Sequence, residues 1–137
     1  MQECIFCQIA QKKSTAFIVY ENEETMAFLD IFPSNKGHTL IIPKKHYENI
    51  EEIPEKQLIE IAKTTKKVSQ AIKEATDAQG FNIILNNGKT AGQLIMHLHF
   101  HIVPRFENDN LKLAFKSNKA EKEELEETLK KIKQKIK

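Results

Sequence analysis

The residues able to do chemistry in this chain are concentrated in its histidines and cysteines. Three of the five His fall within His97-Leu98-His99-Phe100-His101, and the two Cys form Cys4-Ile5-Phe6-Cys7. On a strand, alternate side chains share a face, so His97, His99 and His101 line one side while Leu98, Phe100 and Ile102 turn to the core. A rise of about 3.3 Å per residue sets neighbouring imidazoles ~6.6 Å apart and the outer two ~13 Å apart, too far for one ion to take all three. An H-x-H pair still suits a shared metal, as in a metal-dependent hydrolase. A neutral imidazole is equally a nucleophile toward phosphorus, and flanking imidazoles donate hydrogen bonds to phosphate oxygens where charge builds. A polar sheet face without chemistry is the bland alternative; three of five His in five residues weigh against it.

The C-x-x-C offers two thiolates, half of a tetrahedral zinc site that two further ligands would complete. A thioredoxin-like redox pair is the competing reading. That motif follows a strand and opens a helix within a βαβ pattern, whereas Cys4 precedes every β-prone run of the chain. Gly88-Lys89-Thr90 resembles the end of a phosphate-binding loop, but the glycine required five residues earlier is Ile83, so that motif fails.

These residues need a scaffold. Apolar β-prone runs at 17–21, 26–30, 38–43, 81–86 and 94–103 read as five strands, several separated by turn signals such as Pro33-Ser34-Asn35 and Asn87-Gly88. Short loops favour antiparallel pairing. Between the third and fourth runs, Pro54 opens a helix at its first position. Leu58, Ile61, Thr65, Val68, Ile72 and Ala75 then repeat at helical spacing until Gly80 stops it. Asn118 with Glu121 reads as a capping pair for a C-terminal helix striped by Leu125, Leu129, Ile132 and Ile136. Its acidic residues come first and its lysines last, which suits the helix dipole. The expectation is a single α+β domain over residues 1–137, a five-stranded antiparallel sheet with one long helix and a helical extension at 117–137.

With 21 Lys+Arg against 19 Asp+Glu in 137 residues, the net charge of +2 is too balanced for a protein that works by neutralising a nucleic-acid backbone. Forty per cent hydrophobic against 29% charged residues excludes a disordered chain. No run reaches the ~20 apolar residues of a membrane helix, and the N-terminus lacks a basic leader pattern. A cytoplasmic location is expected, with neither nucleic acid nor membrane as partner.

The segment His97-Leu98-His99-Phe100-His101-Ile102-Val103 matches an H-φ-H-φ-H-φ-φ signature and resembles the histidine triad (HIT) family of nucleotide-binding hydrolases and transferases. Phe28-Leu29-Asp30-Ile31 is similar to the family's ribose-binding strand, and His38-Thr39-Leu40-Ile41-Ile42-Pro43-Lys44-Lys45-His46 to its H-x-L-φ-φ-P-K-x-H strand. The resemblance covers about residues 3–106. It implies a purine-nucleotide hydrolase acting on the α-phosphate of AMP-linked substrates, such as nucleoside phosphoramidates or dinucleoside polyphosphates. His99 would be the nucleophile, with His101 and His38 on the phosphate. Gln93 would stand near the scissile bridge, Asn86 on the phosphate side and Asp30 on the ribose hydroxyls. Ile5, Phe6, Ile9, Phe28 and Ile31 would form the purine slot.

The same resemblance implies one structural zinc per chain, held by Cys4, Cys7, His46 and His97, and a homodimer for which the helix beginning at Pro54 offers a surface. Leu94 stands where the phosphoramidase branch of the family often has a Ser that protonates a leaving amine, and leucine has no proton to give. A metal-dependent H-x-H hydrolase and a non-catalytic nucleotide sensor are the rival classes.

Overall fold

Alternating apolar side chains along neighbouring strands give this protein a sheet with two different working faces. In the computed structural model, which describes residues 4–137, strands β1 (Ile18–Glu21), β2 (Thr25–Leu29), β3 (Thr39–Pro43), β4 (Gly80–Leu85) and β5 (Phe100–Arg105) form one sheet. Its order is β1-β2-β3-β5-β4, and every neighbouring pair is antiparallel. The helices are α1 (Ile5–Ala10), α2 (Glu55–Thr76) and α3 (Lys122–Lys135). The architecture is the expected α+β arrangement of a five-stranded antiparallel sheet with helices.

On one face, Ala27, Ile41, Leu98 and Ile102 pack against Ile53, Ile61, Val68 and Ile72 under α2. On the other, Met26, Phe28, Leu40 and Ile42 pack against Phe6 and Ile9 of α1. Side chains two residues apart on a strand therefore serve one face, and their neighbours serve the other. The stripe of α2 is largely spent on the sheet: Ile61, Thr64, Thr65, Val68, Ser69 and Ile72 are buried. Pro54 is the cap rather than the first helical residue, and α2 ends at left-handed Asp77 (φ 59°), with Gly80 already in β4.

The strand expected at 94–103 starts at Phe100 and runs to Arg105. The reason is the reach of its neighbours. Pairing with β3 begins at Ile41↔Phe100 and with β4 at Leu85↔Phe100, so residues before Phe100 have no ladder to join. They are tied instead by Leu98 N–H donating to the Tyr47 carbonyl at 2.7 Å and by side-chain bonds described below. Pro104 is tolerated in β5 because pairing with β3 stops opposite Ile102; on that side its carbonyl accepts from Asn35 Nδ2 at 2.9 Å, and no partner there needs its missing N–H.

Two further departures concern the ends of the chain. Helix α1 was not expected from the sequence; Cys4 caps it, its Sγ accepting from the Cys7 N–H at 3.3 Å. Helix α3 is capped at Glu121 without a side-chain bond, not by Asn118.

Candidate functional site

A cavity of about 680 Å³ opens on the α1 face of the sheet, within the usual range for a small-molecule site. Its apolar end is built by Ile5, Phe6 and Ile9 of α1 with Phe17, Phe28 and Ile31. Its polar end is Asp30, His38, Asn86, His99 and His101. The register explains the grouping. Phe28 pairs with Leu40 and Leu40 with His101, so a single row across β2, β3 and β5 delivers the floor of the cavity.

The hydrogen bonds settle which imidazole nitrogen carries the proton, since a backbone carbonyl only accepts and a backbone N–H only donates. His99 Nδ1 lies 2.7 Å from the His97 carbonyl and must donate to it, which leaves Nε2 with a lone pair. His38 Nδ1 accepts from the Ser34 N–H at 3.0 Å, so its Nε2 holds the proton and donates to His101 Nδ1 at 3.0 Å. His101 then carries its own proton on Nε2. The His99 and His101 rings stand 4.9 Å apart between centroids, closer than the ~6.6 Å of a straight strand, because His99 precedes β5. Phe6 meets His99 edge-on at 5.0 Å.

Burial is the largest influence on all three, and it favours the neutral ring. It lowers His38, opposed by the Asp30 charge, and His99, opposed first by the bond to the His97 carbonyl and then by Asp30. It lowers His101 to about 4, with His99 and His38 adding to the effect. Asp30 Oδ1 accepts the Phe32 N–H at 2.9 Å, and Oδ2 lies 3.6 Å from His38 Nε2.

Asp30, His38 and His101 bring ligand-type atoms close enough for a metal ion. The proton positions oppose it. A ligating imidazole donates its second nitrogen to an acceptor, but the second nitrogen of His38 already accepts from Ser34.

Cys4, Cys7, His46 and His97 form a second cluster that passes the same test. His97 Nε2 donates to the Pro43 carbonyl at 2.9 Å, leaving Nδ1 to face the thiols: 3.3 Å from Cys4 Sγ and 3.6 Å from Cys7 Sγ. Cys7 Sγ lies 3.4 Å from His46 Nδ1. Zinc bonds of about 2.0–2.3 Å at tetrahedral angles require ligand separations of about 3.3–3.8 Å, so the donor set, its spacing and the carbonyl behind His97 all fit zinc. Both cysteines are free thiols. Burial, with Cys4 beside it, pushes the Cys7 thiol up to about 11.

The ten expected substrate-site residues other than Gln93 line the cavity. Gln93 is buried, and it braces the loop that carries the histidines. Its Oε1 accepts from the Gly88 N–H at 2.8 Å, and its Nε2 donates to the carbonyls of Glu48 at 2.7 Å and Ile95 at 3.1 Å. Sequence reasoning missed Ser34 and Pro43, because what they contribute is backbone, an N–H and a carbonyl, which residue type does not reveal. It also missed Phe17 at the rim, 68% exposed, although an aromatic opening a β-prone run was the available signal.

Comparison with known proteins agrees with this geometry. The HIT domain profile matches residues 11–108. An uncharacterized HIT-like protein of Methanocaldococcus jannaschii is 46% identical over 130 residues, covering 95% of this chain and 98% of its own length. Adenosine 5'-monophosphoramidase of Candida albicans is 37% identical over 106 residues, 74% of this chain and 70% of that protein. The crystal structure of a HIT family member from Bacillus subtilis superposes with a TM-score of 0.93 at 34% identity, covering 99% of both chains. A zinc-bound histidine triad family protein from Mycobacterium smegmatis superposes at 0.77 with 32% identity and 98% of both chains.

Proposed function

The chain belongs to the HIT family, and from that premise we propose that it hydrolyses AMP-linked purine nucleotides through a covalent intermediate on His99. One observation carries the proposal: the bond from His99 Nδ1 to the His97 carbonyl fixes the neutral tautomer whose Nε2 lone pair is free to attack phosphorus. The purine occupies the slot between α1 and Phe28, and Asp30 takes the ribose hydroxyls. His99 Nε2 forms a bond to the α-phosphorus as the bond to the leaving group breaks, the leaving group departing with the electron pair. The Nε2–H of His101 donates to a phosphate oxygen as charge builds. Water then attacks the nucleotidyl-histidine, releases AMP and returns His99 to its starting state. Asn86, which lines the same cavity, serves the phosphate side.

The geometry speaks against an H-x-H metal hydrolase, because His97 turns Nδ1 to the cysteines, and the second nitrogen of His101 accepts from His38 instead of donating as a ligand's would. Zinc at Cys4, Cys7, His46 and His97 is structural in this reading. Four protein ligands close its sphere, and the cluster ties α1 to the end of β3 and to the histidine loop. The active assembly is a homodimer, each chain one HIT domain with 117–137 as an appended helix, and two free thiols suit the cytoplasm.

The test is a panel of adenosine phosphoramidate, a diadenosine polyphosphate and an adenylylated lysine analogue, run with wild type and His99→Ala. Turnover by wild type and a loss of about 10³-fold or more in the variant are expected. Full activity in His99→Ala refutes covalent catalysis; AMP binding without turnover of any substrate by wild type leaves a nucleotide sensor.

A further inference from the structure

Helix α3 is amphipathic, yet every one of its residues is exposed. Leu125, Leu129 and Ile132 are 58%, 54% and 53% exposed, and Ile136 at its cap is 73% exposed. A 14-residue helix is marginal in water unless its apolar stripe is covered. Nothing among the described residues covers this one, whereas the comparable stripe of α2 is consumed by the sheet. The apolar spacing of four, three and four is that of a two-heptad seam, with Leu125 and Ile132 at d positions and Leu129 and Ile136 at a positions.

We propose that α3 pairs antiparallel with α3 of a second copy of this chain. The charges choose both the occupant and the direction. In an antiparallel pair, Leu125 layers on the second copy's Ile136 and Leu129 on its Ile132. Flanking that seam, Glu126 then meets the second copy's Lys133, a contact that occurs twice by symmetry. In a parallel pair, Lys122, the preceding a residue, would face its own counterpart in the seam, and Glu121 would sit beside the second copy's Glu126. Both contacts are repulsive. Because the acidic half of α3 precedes the basic half, only the antiparallel direction sets opposite charges and opposite helix dipoles side by side. A different partner would have no reason to match this order, but a second copy matches it automatically.

The pairing is read directly by cross-linking the full-length, zinc-loaded chain. Across the two-fold, Leu129 layers on the second copy's Ile132, while Lys131 points away from the seam. Mild oxidation is expected to link an equimolar mixture of Leu129→Cys and Ile132→Cys into a mixed dimer, and to leave Lys131→Cys and wild type unlinked. In sedimentation, Glu126→Lys and Lys133→Glu each weaken self-association several-fold, and an equimolar mixture of the two restores it. Since α3 buries nothing against its own domain, these variants keep the wild-type melting temperature. Cross-linking of Lys131→Cys equal to that of the mixed pair, no link in either, or a charge-reversed mixture no tighter than its components overturns the proposal. So does binding of the wild-type chain to anionic phospholipid vesicles with no link between 129 and 132, which would give the stripe to a membrane surface.

Discussion

His38 and His101 are joined by a hydrogen bond that runs in one direction. The Ser34 N–H occupies His38 Nδ1, so the 3.0 Å contact between His38 Nε2 and His101 Nδ1 has its proton on His38. A single backbone amide thereby sets the tautomer of two imidazoles and leaves His101 with a donor at Nε2. Nitrogen-15 correlation spectra at neutral pH are expected to register His38 and His101 as Nε2–H and His99 as Nδ1–H. A proton on Nδ1 of His101 would break the line.

Gln93 is expected to act on stability more than on chemistry. Gln93→Leu removes the partners of one N–H and two carbonyls in a buried setting, at a cost of at least about 2 kcal/mol. Urea unfolding measures this. A variant as stable as wild type but catalytically dead would show that the amide serves the substrate instead.

The two-faced sheet was legible because β2 and β3 alternate cleanly: Met26, Phe28, Leu40 and Ile42 on one side, Ala27 and Ile41 on the other. The stripe of α2 was legible for the same reason. The start of β5 was not. His97 and His99 look like strand residues, and only the ends of β3 and β4, set elsewhere in the chain, keep them out of the ladder. Helix α1 escaped notice because six residues capped by a thiol carry no standard start signal. The residues of the cavity and of the Cys/His cluster were implied by the resemblance of the sequence motifs to the HIT family. The proton positions were not, since they depend on Ser34 and Pro43 backbone atoms brought close by folding.

Zinc removal is expected to loosen the histidine loop along with the N-terminus. His97 precedes His99 by two residues, and His99 leans on its carbonyl, so the cluster and the proposed nucleophile share one stretch of backbone. Elemental analysis should find one zinc per chain. Stripping it, or Cys7→Ser, should lower the melting temperature by about 10 °C, the equivalent of a few kcal/mol in a domain of this size. Metal-free protein with unchanged melting and two titratable thiols would count against the cluster as a zinc site.

Stability should fall as pH falls from about 6.5 toward 4. Burial holds His101 at about 4 against an ordinary 6.5, reinforced by His99 and His38 and opposed by Asp30. Within that window the unfolded chain binds a proton at this position that the folded chain refuses. Its contribution is therefore complete above pH 6.5 and is lost on acidification, at up to about 1.4 kcal/mol per pH unit. His38 and His99, lowered by burial as well, act in the same direction. Urea unfolding at pH 7.5, 6.5 and 5.5 should show a shallower slope for His101→Gln than for wild type; identical slopes would remove His101 from the account.

Leaving-group chemistry is the sharpest test of the cavity mouth. Leu94 is 90% exposed there, and its neighbours along that wall are Asn86, Gly92 and Ile95. None of the four has a proton acidic enough to pass to a departing amine or alkoxide. In the proposed reaction the donor on His101 is directed at the phosphate, and His99 is itself the nucleophile. A group that leaves as a stable anion needs no such help; an alkylamine does. Wild-type kcat/KM across a series of adenosine 5'-phosphate derivatives should therefore fall steeply as the basicity of the leaving group rises, with a phosphoramidate of an alkylamine at the slow end. Leu94→Ser places a hydroxyl on the same wall and should flatten the dependence by raising the rates of the basic leaving groups, with little change for anhydrides. A wild-type enzyme indifferent to leaving-group basicity would mean that the proton comes from another group, and His101→Gln, by making the dependence steep, would identify it.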